Sequence, residues 1–298
     1  GKPLPLRAMN FLSDTTAPAH PRLIEAIAAA NTGFAPSYGA DPVSARVKAR
    51  LEHLFETELE VLFAVSGSAS NALALSVLCG RDGMILCHDE AHIHRDERGA
   101  PEFFTGGAKL LPLPGAHARI DTAAINGALA QWPQDFVHAT PPEVLSLSQL
   151  NESGGAYTVE EVRERAAAAK ARGLFVHMDG ARFANAAASL DVAPADITWR
   201  AGVDALCLGA TKNGALAAEA VILFPSVRDR FSRLQARQKR AGHMAPKMRF
   251  IAAQFDAWLD SGLWLDLARH ANAMAGVLSR GLAALPGGDE IVDEPALV

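Results

Sequence analysis

Short apolar runs alternate with longer stretches of helical periodicity in this sequence, and that alternation limits the folds available to it. Val43, Val47 and Leu51 recur at helical spacing and predict a helix. Six runs have the length and composition of buried strands: 61–65, 84–87, 109–113, 174–178, 203–209 and 220–224. Strands that alternate with helices form βαβ units, in which the sheet is largely parallel and helices cover both faces. The sequence therefore predicts an α/β fold.

Helix boundaries and the late part of the sequence indicate the domain organisation. Thr158 and Glu161 form a capping box, and Gly173 ends the helix that they begin. From about residue 226 onward the pattern is helical alone, and 285–298 only begins a further strand. The sequence therefore predicts one large α/β domain followed by the opening of a smaller C-terminal piece.

Composition and charge argue against several classes of function. The formal net charge is -5, which gives no general attraction for nucleic acid or anionic membranes. No apolar run approaches the ~20 residues of a membrane span. Cys79, Cys87 and Cys207 are widely spaced among apolar residues, which favours buried thiols in a reducing cytoplasm over a disulfide framework or a zinc site. We expect no metal site and no nucleic-acid or membrane partner.

The segment 228–249 departs from this acidic balance. It contains arginines at helical spacing that form one basic face: Arg230, Arg233, Arg237 and Arg240. A nucleic-acid surface is disfavoured because aromatic residues are not interleaved with these cations. The commoner interpretation is a solvated helix face.

Three segments could carry chemistry, and the first joins a strand to a helix at 64–76. Ser66, Gly67 and Ser68 form its turn. A small-residue turn at a helix N-terminus presents free backbone N–H groups and the positive end of the helix dipole to an anion. The same residues are compatible with a tight turn whose helix a serine caps. This segment alone leaves both interpretations open.

The other two segments place charged side chains at strand ends. The apolar run 174–178 leads directly to Asp179, and the run 203–209 is followed closely by Lys212. Asp179 alone could be a metal ligand, a helix cap or the partner of a cationic ring nitrogen, and Lys212 alone could extend into solvent. In open α/β sheets, however, ligands bind at the carboxyl ends of strands. With the anion-binding turn, the two residues match what pyridoxal phosphate requires: a phosphate cradle, a carboxylate at the pyridine nitrogen and a lysine for the Schiff base.

At these motifs the sequence resembles the L-threonine aldolases of the aspartate-aminotransferase-like (fold type I) pyridoxal phosphate superfamily. The resemblance extends over nearly the whole chain and is carried by "NFLSDTTAPAHPRLIEAI", "SYGADPV", "SGSASNALAL", "DEAHIH", "HMDGARFANA" and "LCLGATKNG". It implies a three-layer α/β fold with a mostly parallel, seven-stranded sheet. It also implies an N-terminal arm at 1–20, a large cofactor-binding domain at 21–240, and linking helices with the start of a small, incomplete C-terminal α/β domain at 241–298.

The resemblance implies roles for the residues at the centre of the site. Lys212 would form the Schiff base, Asp179 would keep the pyridine nitrogen protonated, and His92 would stack on the ring with a titratable nitrogen near Cβ. The residues that would hold the phosphate are Gly67, Ser68 and Ala69.

Further implied roles concern the substrate and a neighbouring subunit. Arg182 would contact the phenolic oxygen side of the cofactor and the substrate carboxylate, which Ser13 and Asp14 would also reach. Tyr38 would lie near the active site of a neighbouring subunit. One or two basic residues would reach the phosphate of an adjacent subunit, and the candidates are Arg237, Lys239 and Arg240.

Two departures from the family pattern affect the expected mechanism. Many members carry a second active-site histidine after a strand reading like "SLENTH", and the stretch 146–155 has Asn151 at that position. A base role for His92, or for an ordered water, is then favoured. His94 and Glu97 are near His92 in sequence but rank below it, as exposed neighbours. The family also places a carboxylate-binding arginine in its C-terminal domain, and this chain ends before that domain is complete.

The function implied is reversible, pyridoxal-phosphate-dependent retro-aldol cleavage of L-threonine, L-allo-threonine or other L-β-hydroxy-α-amino acids, such as phenylserine, to glycine and an aldehyde. The partner would be a small amino-acid substrate, and shared active sites would make the protein a homodimer or homotetramer in the cytoplasm. Three alternatives stay open: a β-eliminating lyase or aminotransferase on the same scaffold, a non-catalytic pyridoxal-phosphate-binding protein, and an α/β protein that does not bind this cofactor.

Overall fold

The computed structural model describes residues 12–287 and contains a seven-stranded sheet. The strands are β1 (Glu60–Ala64), β2 (Met84–His88), β3 (Lys109–Leu113), β4 (Pro142–Ser148), β5 (Phe175–Gly180), β6 (Ala205–Gly209) and β7 (Glu219–Leu223). Their order across the sheet is β1-β7-β6-β5-β4-β2-β3. Strands β2 to β6 run parallel, and β7 runs antiparallel to both β1 and β6. The expected α/β fold with a mostly parallel, seven-stranded sheet is confirmed.

All six apolar runs form strands, with small shifts at their ends, whereas β4 has no such run to mark it. Serines alternate with apolar residues in β4, which hides it from a search for continuous apolar stretches. Ser146 is nevertheless buried, and its hydroxyl lies 2.9 Å from Nδ1 of His177 in β5. A central strand tolerates a buried hydroxyl when its neighbour supplies such a partner.

The helices connect the strands and cover the sheet. They are α1 (Pro21–Ala30), α2 (Pro42–Phe55), α3 (Gly67–Leu78), α4 (His92–Arg95), α5 (Ala100–Thr105), α6 (Thr122–Gln131), α7 (Val159–Lys170), α8 (Phe183–Leu190), α9 (Phe231–Arg240), α10 (Arg249–Leu259) and α11 (Leu263–Ala283). The predicted capping box begins α7: the Glu161 N–H donates to Oγ1 of Thr158 at 3.2 Å, and the Thr158 N–H donates to Oε2 of Glu161 at 2.7 Å. Gly173 follows the end of α7 with a φ of +76°, as expected of a helix stop.

Helices on both faces give the predicted three layers. On one face, α2, α7, α8 and α10 enclose a core in which Phe255 and Trp258 are fully buried. On the other face, α3 and α9 pack on the sheet, and Leu234 of α9 is buried there. Successive residues of β6 serve the two cores, with Leu206 in the first and Cys207 in the second, as the alternation of side chains along a strand requires.

The carboxyl ends of the parallel strands meet at one edge of the sheet. The register places Ser148 of β4 beside Asp179 of β5, and Asp179 beside Cys207 of β6. Because β7 is antiparallel, its first residue, Glu219, lies at the same edge opposite Gly209. Polar side chains from β4, β5 and β7 are therefore concentrated at this edge.

The last part of the described chain is helical, as the sequence predicts from about residue 226. Within residues 12–287, no strand follows Leu223, and no helix is long and apolar enough to cross a membrane. The first part of the predicted arm at 1–20 and most of the strand expected at 285–298 lie outside the described residues. The domain boundaries at 20 and 240 stay predictions.

Replacing Thr158 by alanine removes one half of the capping box and leaves the rest of α7 unchanged. We expect the free energy of unfolding to fall by about 1 kcal/mol, because the amide of Glu161 loses its acceptor. Urea unfolding followed by circular dichroism measures this change. Thr158→Ser keeps the hydroxyl and serves as the control. Equal stability of the alanine and serine variants would contradict the expectation.

Candidate active site

A cleft of about 440 Å³ lies at the carboxyl edge of the sheet, where β4, β5 and β7 meet the first turns of α3 and α4. The predicted site residues that line it are Gly67, Ser68, His92, Asp179, Arg182 and Lys212. Further polar residues line it without having been singled out in the sequence, among them Asn71, Glu152 and Glu219. This convergence makes the cleft the candidate active site.

The turn from β1 into α3 forms one wall of the cleft. Ser66 caps α3, and its hydroxyl accepts the N–H of Ala69 at 3.3 Å. Gly67 and Ser68 line the cleft at the first turn, where backbone N–H groups lack partners within the helix and the dipole favours an anion. The geometry is compatible with both interpretations of this segment, a capped turn and an anion cradle. A contact between Ala69 and a phosphate would compete with the cap and stays a prediction.

Two hydrogen bonds hold Asp179 at the end of β5. Its Oδ1 accepts the N–H of Ala181 at 3.0 Å, and its Oδ2 accepts Nδ2–H of Asn71 at 2.8 Å. The same Asn71 amide donates to Oε1 of Glu97 at 2.8 Å, so one amide joins two buried carboxylates. The Oδ1 atom of Asn71 is buried without a hydrogen-bond partner. The orientation of Asp179 is thus determined by a residue of α3.

Glu97 orients the ring of His92, the first residue of α4. Nδ1 of His92 lies 2.9 Å from Oε1 of Glu97, whose side chain is fully buried. The expectation that Glu97 is an exposed neighbour is therefore wrong, because the chain after α4 folds its carboxylate back toward His92, whereas His94 is exposed as expected. The hydrogen bond from Glu97 raises the pKa of His92, and burial raises the pKa of Glu97.

Lys212 lies in a short 3-10 turn, Thr211–Asn213, directly after β6. The turn is anchored by Asn213, whose Nδ2–H donates to the carbonyl of Trp264 at 2.8 Å and whose carbonyl accepts the indole N–H of Trp258 at 3.1 Å. Lys212 is partly buried, and its ammonium group makes no hydrogen bond or ion pair with residues 12–287. The amine is therefore available to a ligand in the cleft.

Glu219 contributes a buried acid between the end of β6 and the start of α3. Its Oε2 lies 2.9 Å from the position of a Cβ built on Gly209, and 4.0 Å from one built on Gly67. Burial raises the pKa of Glu219 to about 7, although hydrogen bonds from Thr211 and the nearby Lys212 act in the opposite direction. A single acid inside the apolar run "LAAEAVILF" was the sequence signal for this residue.

Arg182 contacts the N-terminal segment. Its Nε–H donates to Oδ2 of Asp14 at 2.7 Å. Ser13 caps the 3-10 turn that Asp14 begins, accepting the N–H of Thr15 at 3.2 Å, and Thr15 lines the cleft. An exposed ion pair adds little stability, but here it brings together three residues expected to bind the substrate: Ser13, Asp14 and Arg182.

Asn151, at the position where the resemblance implies a histidine, does not line the cleft. It is buried in a turn, where its Nδ2–H donates to the carbonyl of His117 at 3.0 Å and its Oδ1 accepts the N–H groups of Ser153 and Gly155 at 3.1 and 2.9 Å. The next residue, Glu152, lines the cleft in its place. No sequence pattern distinguishes the two, because the direction of each side chain depends on this turn.

Four residues with expected roles at a neighbouring subunit lie away from the cleft. Tyr38 is exposed, and Nζ of Lys239 lies 4.8 Å from the centre of its ring. Arg237 and Arg240 belong to the last turn of α9. Their roles across a subunit boundary stay predictions.

The chemistry of the cleft fits pyridoxal phosphate. The cofactor needs an amine at its carbonyl carbon, a carboxylate at its ring nitrogen and N–H donors at its phosphate. Lys212 offers an amine with no bonded partner among residues 12–287, Asp179 offers an oriented carboxylate, and the first turn of α3 lines the same cleft. Within the same residues, no three His, Cys, Asp or Glu side chains are grouped as a metal site would require.

Known proteins similar to this chain agree with that chemistry. The family model described as beta-eliminating lyase matches residues 10–295. A low specificity L-threonine aldolase of Pseudomonas sp. (strain NCIMB 10558) is 41% identical over 94% of this chain and 80% of that protein. Another, from Pseudomonas aeruginosa, is 42% identical over 93% and 79%.

Solved structures extend the comparison to the fold. The threonine aldolase of Leishmania major superposes with a TM-score of 0.85 at 28% identity, over 91% of this chain and 78% of that one. The aspartate aminotransferase of Thermus thermophilus superposes with a TM-score of 0.65 at 14% identity, over 90% and 69%, which shows a shared fold.

Glu219→Gln should change how stability depends on pH. With a pKa of about 7 in the folded state and 4.5 as its ordinary value, Glu219 keeps a proton in the folded protein that the unfolded chain releases. Wild-type stability therefore falls as the pH rises from 4.5 through 7, by at most about 3 kcal/mol from this group, and the glutamine variant lacks that loss.

Urea unfolding of the cofactor-free protein at pH 5 and pH 8 measures the difference. The free energy of unfolding of the variant, relative to that of the wild type, should be higher at pH 8 than at pH 5. Glu164→Gln, an exposed glutamate on α7, is the control and should show no such gain. Parallel pH profiles for wild type and Glu219→Gln would contradict the assignment.

Proposed function

The chain belongs to the beta-eliminating lyase family and, within it, to the L-threonine aldolases, and from this we propose its function. It cleaves L-threonine, L-allo-threonine or related L-β-hydroxy-α-amino acids such as phenylserine to glycine and an aldehyde, reversibly. The observation that carries the proposal is the cleft shared by Lys212, Asp179 and His92, in a chain 41% and 42% identical to two low specificity L-threonine aldolases.

Pyridoxal phosphate is the cofactor of this family, and when bound it supplies a carbonyl carbon for the substrate amine and a ring that withdraws electrons from Cα. We assign Lys212 as the residue whose amine would hold that carbonyl carbon. Asp179 keeps a proton on the ring nitrogen, and Asn71 keeps Asp179 in position. Gly67 and Ser68, at the first turn of α3, bind the phosphate.

Arg182 and the N-terminal segment are assigned to the substrate carboxylate. Because Nε of Arg182 is bonded to Asp14, the guanidinium plane is fixed and its two Nη groups remain for a carboxylate. Fixing the carboxylate and the amine together determines which bond to Cα lies in position to break. Ser13 adds a hydroxyl beside Asp14.

β-Elimination is the second candidate, and the description of the matching family favours it. The two reactions differ in what they do at Cβ. Retro-aldol cleavage breaks the Cα–Cβ bond and yields glycine, whereas elimination expels the β-substituent and yields ammonia and a keto acid. Product analysis therefore separates them.

We also propose that the protein is a homodimer or homotetramer in the cytoplasm. Large apolar side chains support a subunit contact, since Phe34, Tyr38 and Leu216 are 109%, 47% and 60% exposed. The cysteines Cys79, Cys87 and Cys207 are buried and free, which agrees with a reducing compartment.

Incubation with L-threonine, L-allo-threonine and L-phenylserine should yield glycine and the matching aldehyde, each detectable by chromatography. Lys212→Ala should lower glycine release at least about 100-fold and abolish covalent attachment of the cofactor after borohydride reduction. Lys109→Ala, at the amino end of β3, is the control and should keep both properties. Ammonia and keto acid in place of glycine would favour the second candidate.

Size-exclusion chromatography with light scattering should give a mass of two or four chains. Tyr38→Glu adds a charge to the expected subunit contact and should shift that mass toward one chain. Glu25→Gln, an exposed substitution on α1, should leave it unchanged. A monomeric, fully active wild-type protein would contradict the proposal of shared active sites.

A further inference from the structure

Glu152 presents a carboxylate of which only one oxygen is bonded. Its Oε1 accepts the backbone N–H of His92 at 3.0 Å and the hydroxyl of Ser148 at 2.8 Å. Its Oε2 is buried and has no hydrogen-bond partner. The residue lines the cleft with Lys212 and Asp179.

A purely structural role accounts for only half of this arrangement. α4 begins at His92, and its N-cap residue, Ala91, offers no side-chain acceptor, so Oε1 of Glu152 satisfies an N–H group that would otherwise be free. Such a role requires one oxygen. A buried second oxygen without a partner costs free energy and indicates a donor that the protein itself does not supply.

Two other acids at the cleft, Asp179 and Glu219, are already engaged, and a third, Asp96, is exposed to solvent. Both oxygens of Asp179 accept hydrogen bonds, from Ala181 and from Asn71. Glu219 is bonded to Thr211. Among the acids that line the cleft, Glu152 is thus the one with a buried oxygen that has no hydrogen-bond partner in residues 12–287.

His92 lines the cleft, but its imidazole is less available to accept a proton. Its Nδ1 is bonded to Glu97, and that bond raises the pKa of the ring, so the imidazole carries a proton over more of the neutral range. A protonated imidazole cannot accept a second proton. The expectation that His92 compensates for the missing histidine at Asn151 is therefore weakened.

We propose that Glu152 is the general base that accepts the proton of the substrate's β-hydroxyl group. This rests on the proposed aldolase function. It also explains the substitution at Asn151, since the base is supplied by the next residue of the same turn.

The step balances without any further reactant. Glu152 takes the hydroxyl proton as the O–H electron pair becomes the second bond of the aldehyde carbonyl and the Cα–Cβ bond breaks. The electron pair of that bond stays with the Cα fragment, which takes up one proton to give glycine. Glycine and aldehyde together contain the atoms of the substrate.

The electrostatic surroundings suit the role. Burial raises the pKa of Glu152, with Asp179 acting in the same direction and the bonds from Ser148 and the His92 amide opposing it. Cys87 and Tyr157 are the other titratable groups that Glu152 influences, and burial raises the pKa of both thiol and phenol, so they stay neutral. A carboxylate with a raised pKa is a stronger base in its ionised form.

The test is Glu152→Gln, which keeps an oxygen for the His92 amide and Ser148 but cannot accept a proton. Cleavage of L-phenylserine should fall at least about 100-fold. Exchange of the α-proton of glycine in deuterated buffer, followed by NMR, requires the amino group of glycine and the cofactor ring but no β-hydroxyl group. The rate of this exchange in the variant should stay within about threefold of the wild-type rate. Cofactor affinity, from absorbance titration, should be unchanged. Glu25→Gln is the matched exposed control.

Unimpaired cleavage by Glu152→Gln would overturn the proposal, and so would an equal loss of cleavage and of glycine exchange. Absence of glycine formation by the wild type would instead refute the aldolase function. If the variant does not fold, the pH dependence of the wild type tests the proposal. The rate of cleavage should decline toward acid pH, whereas the rate of glycine exchange should not. Coincident pH profiles for the two reactions would overturn the role of Glu152.

Discussion

The parallel register of β4, β5 and β6 is the constraint on which the site depends. It aligns Ser148 with Asp179 and Asp179 with Cys207, so side chains distant in sequence reach one sheet edge. A shift of one residue in β5 would turn Asp179 to the opposite face. The antiparallel β7 adds Glu219 at this edge because that strand starts where its neighbours end. The positions of the proposed catalytic groups at the strand ends thus follow from strand pairing before any ligand binds.

Within that frame, the amide of Asn71 positions two acids, Asp179 and Glu97, and Glu97 in turn positions the ring of His92. Asn71 donates to both Asp179 and Glu97 at 2.8 Å, which places a neutral donor between carboxylates that would otherwise repel each other. Glu97 in turn bonds His92 and raises its pKa. The acid that raises the pKa of His92 is therefore held in place by a residue of α3, which gives a reason for burying an asparagine in that helix.

Residues whose role is defined by the chain around them could be predicted from the sequence, and residues whose role depends on distant contacts could not. Asp179 and Lys212 end apolar runs, and the glycine after Asp179 reflects close strand packing, since a Cβ on Gly180 would lie 2.7 Å from the Cys207 carbonyl. Glu97 looked exposed, because its burial depends on contacts with Asn71 of α3 and with His92.

The ionisable groups of the cleft differ in the charge of the ligand group that each one suits. Burial raises the pKa of Glu219 to about 7, so this acid, near the turn at Gly67 that we propose as the phosphate site, can be neutral when an anion binds there. Asp179 accepts N–H donors at both oxygens, as suits a carboxylate that faces a cationic ring nitrogen. Glu152 lies between these cases: one oxygen is held by donors that favour its charge, and burial of the other favours a proton. A group balanced in this way can both take up and return a proton, which a reversible aldol reaction requires of its base.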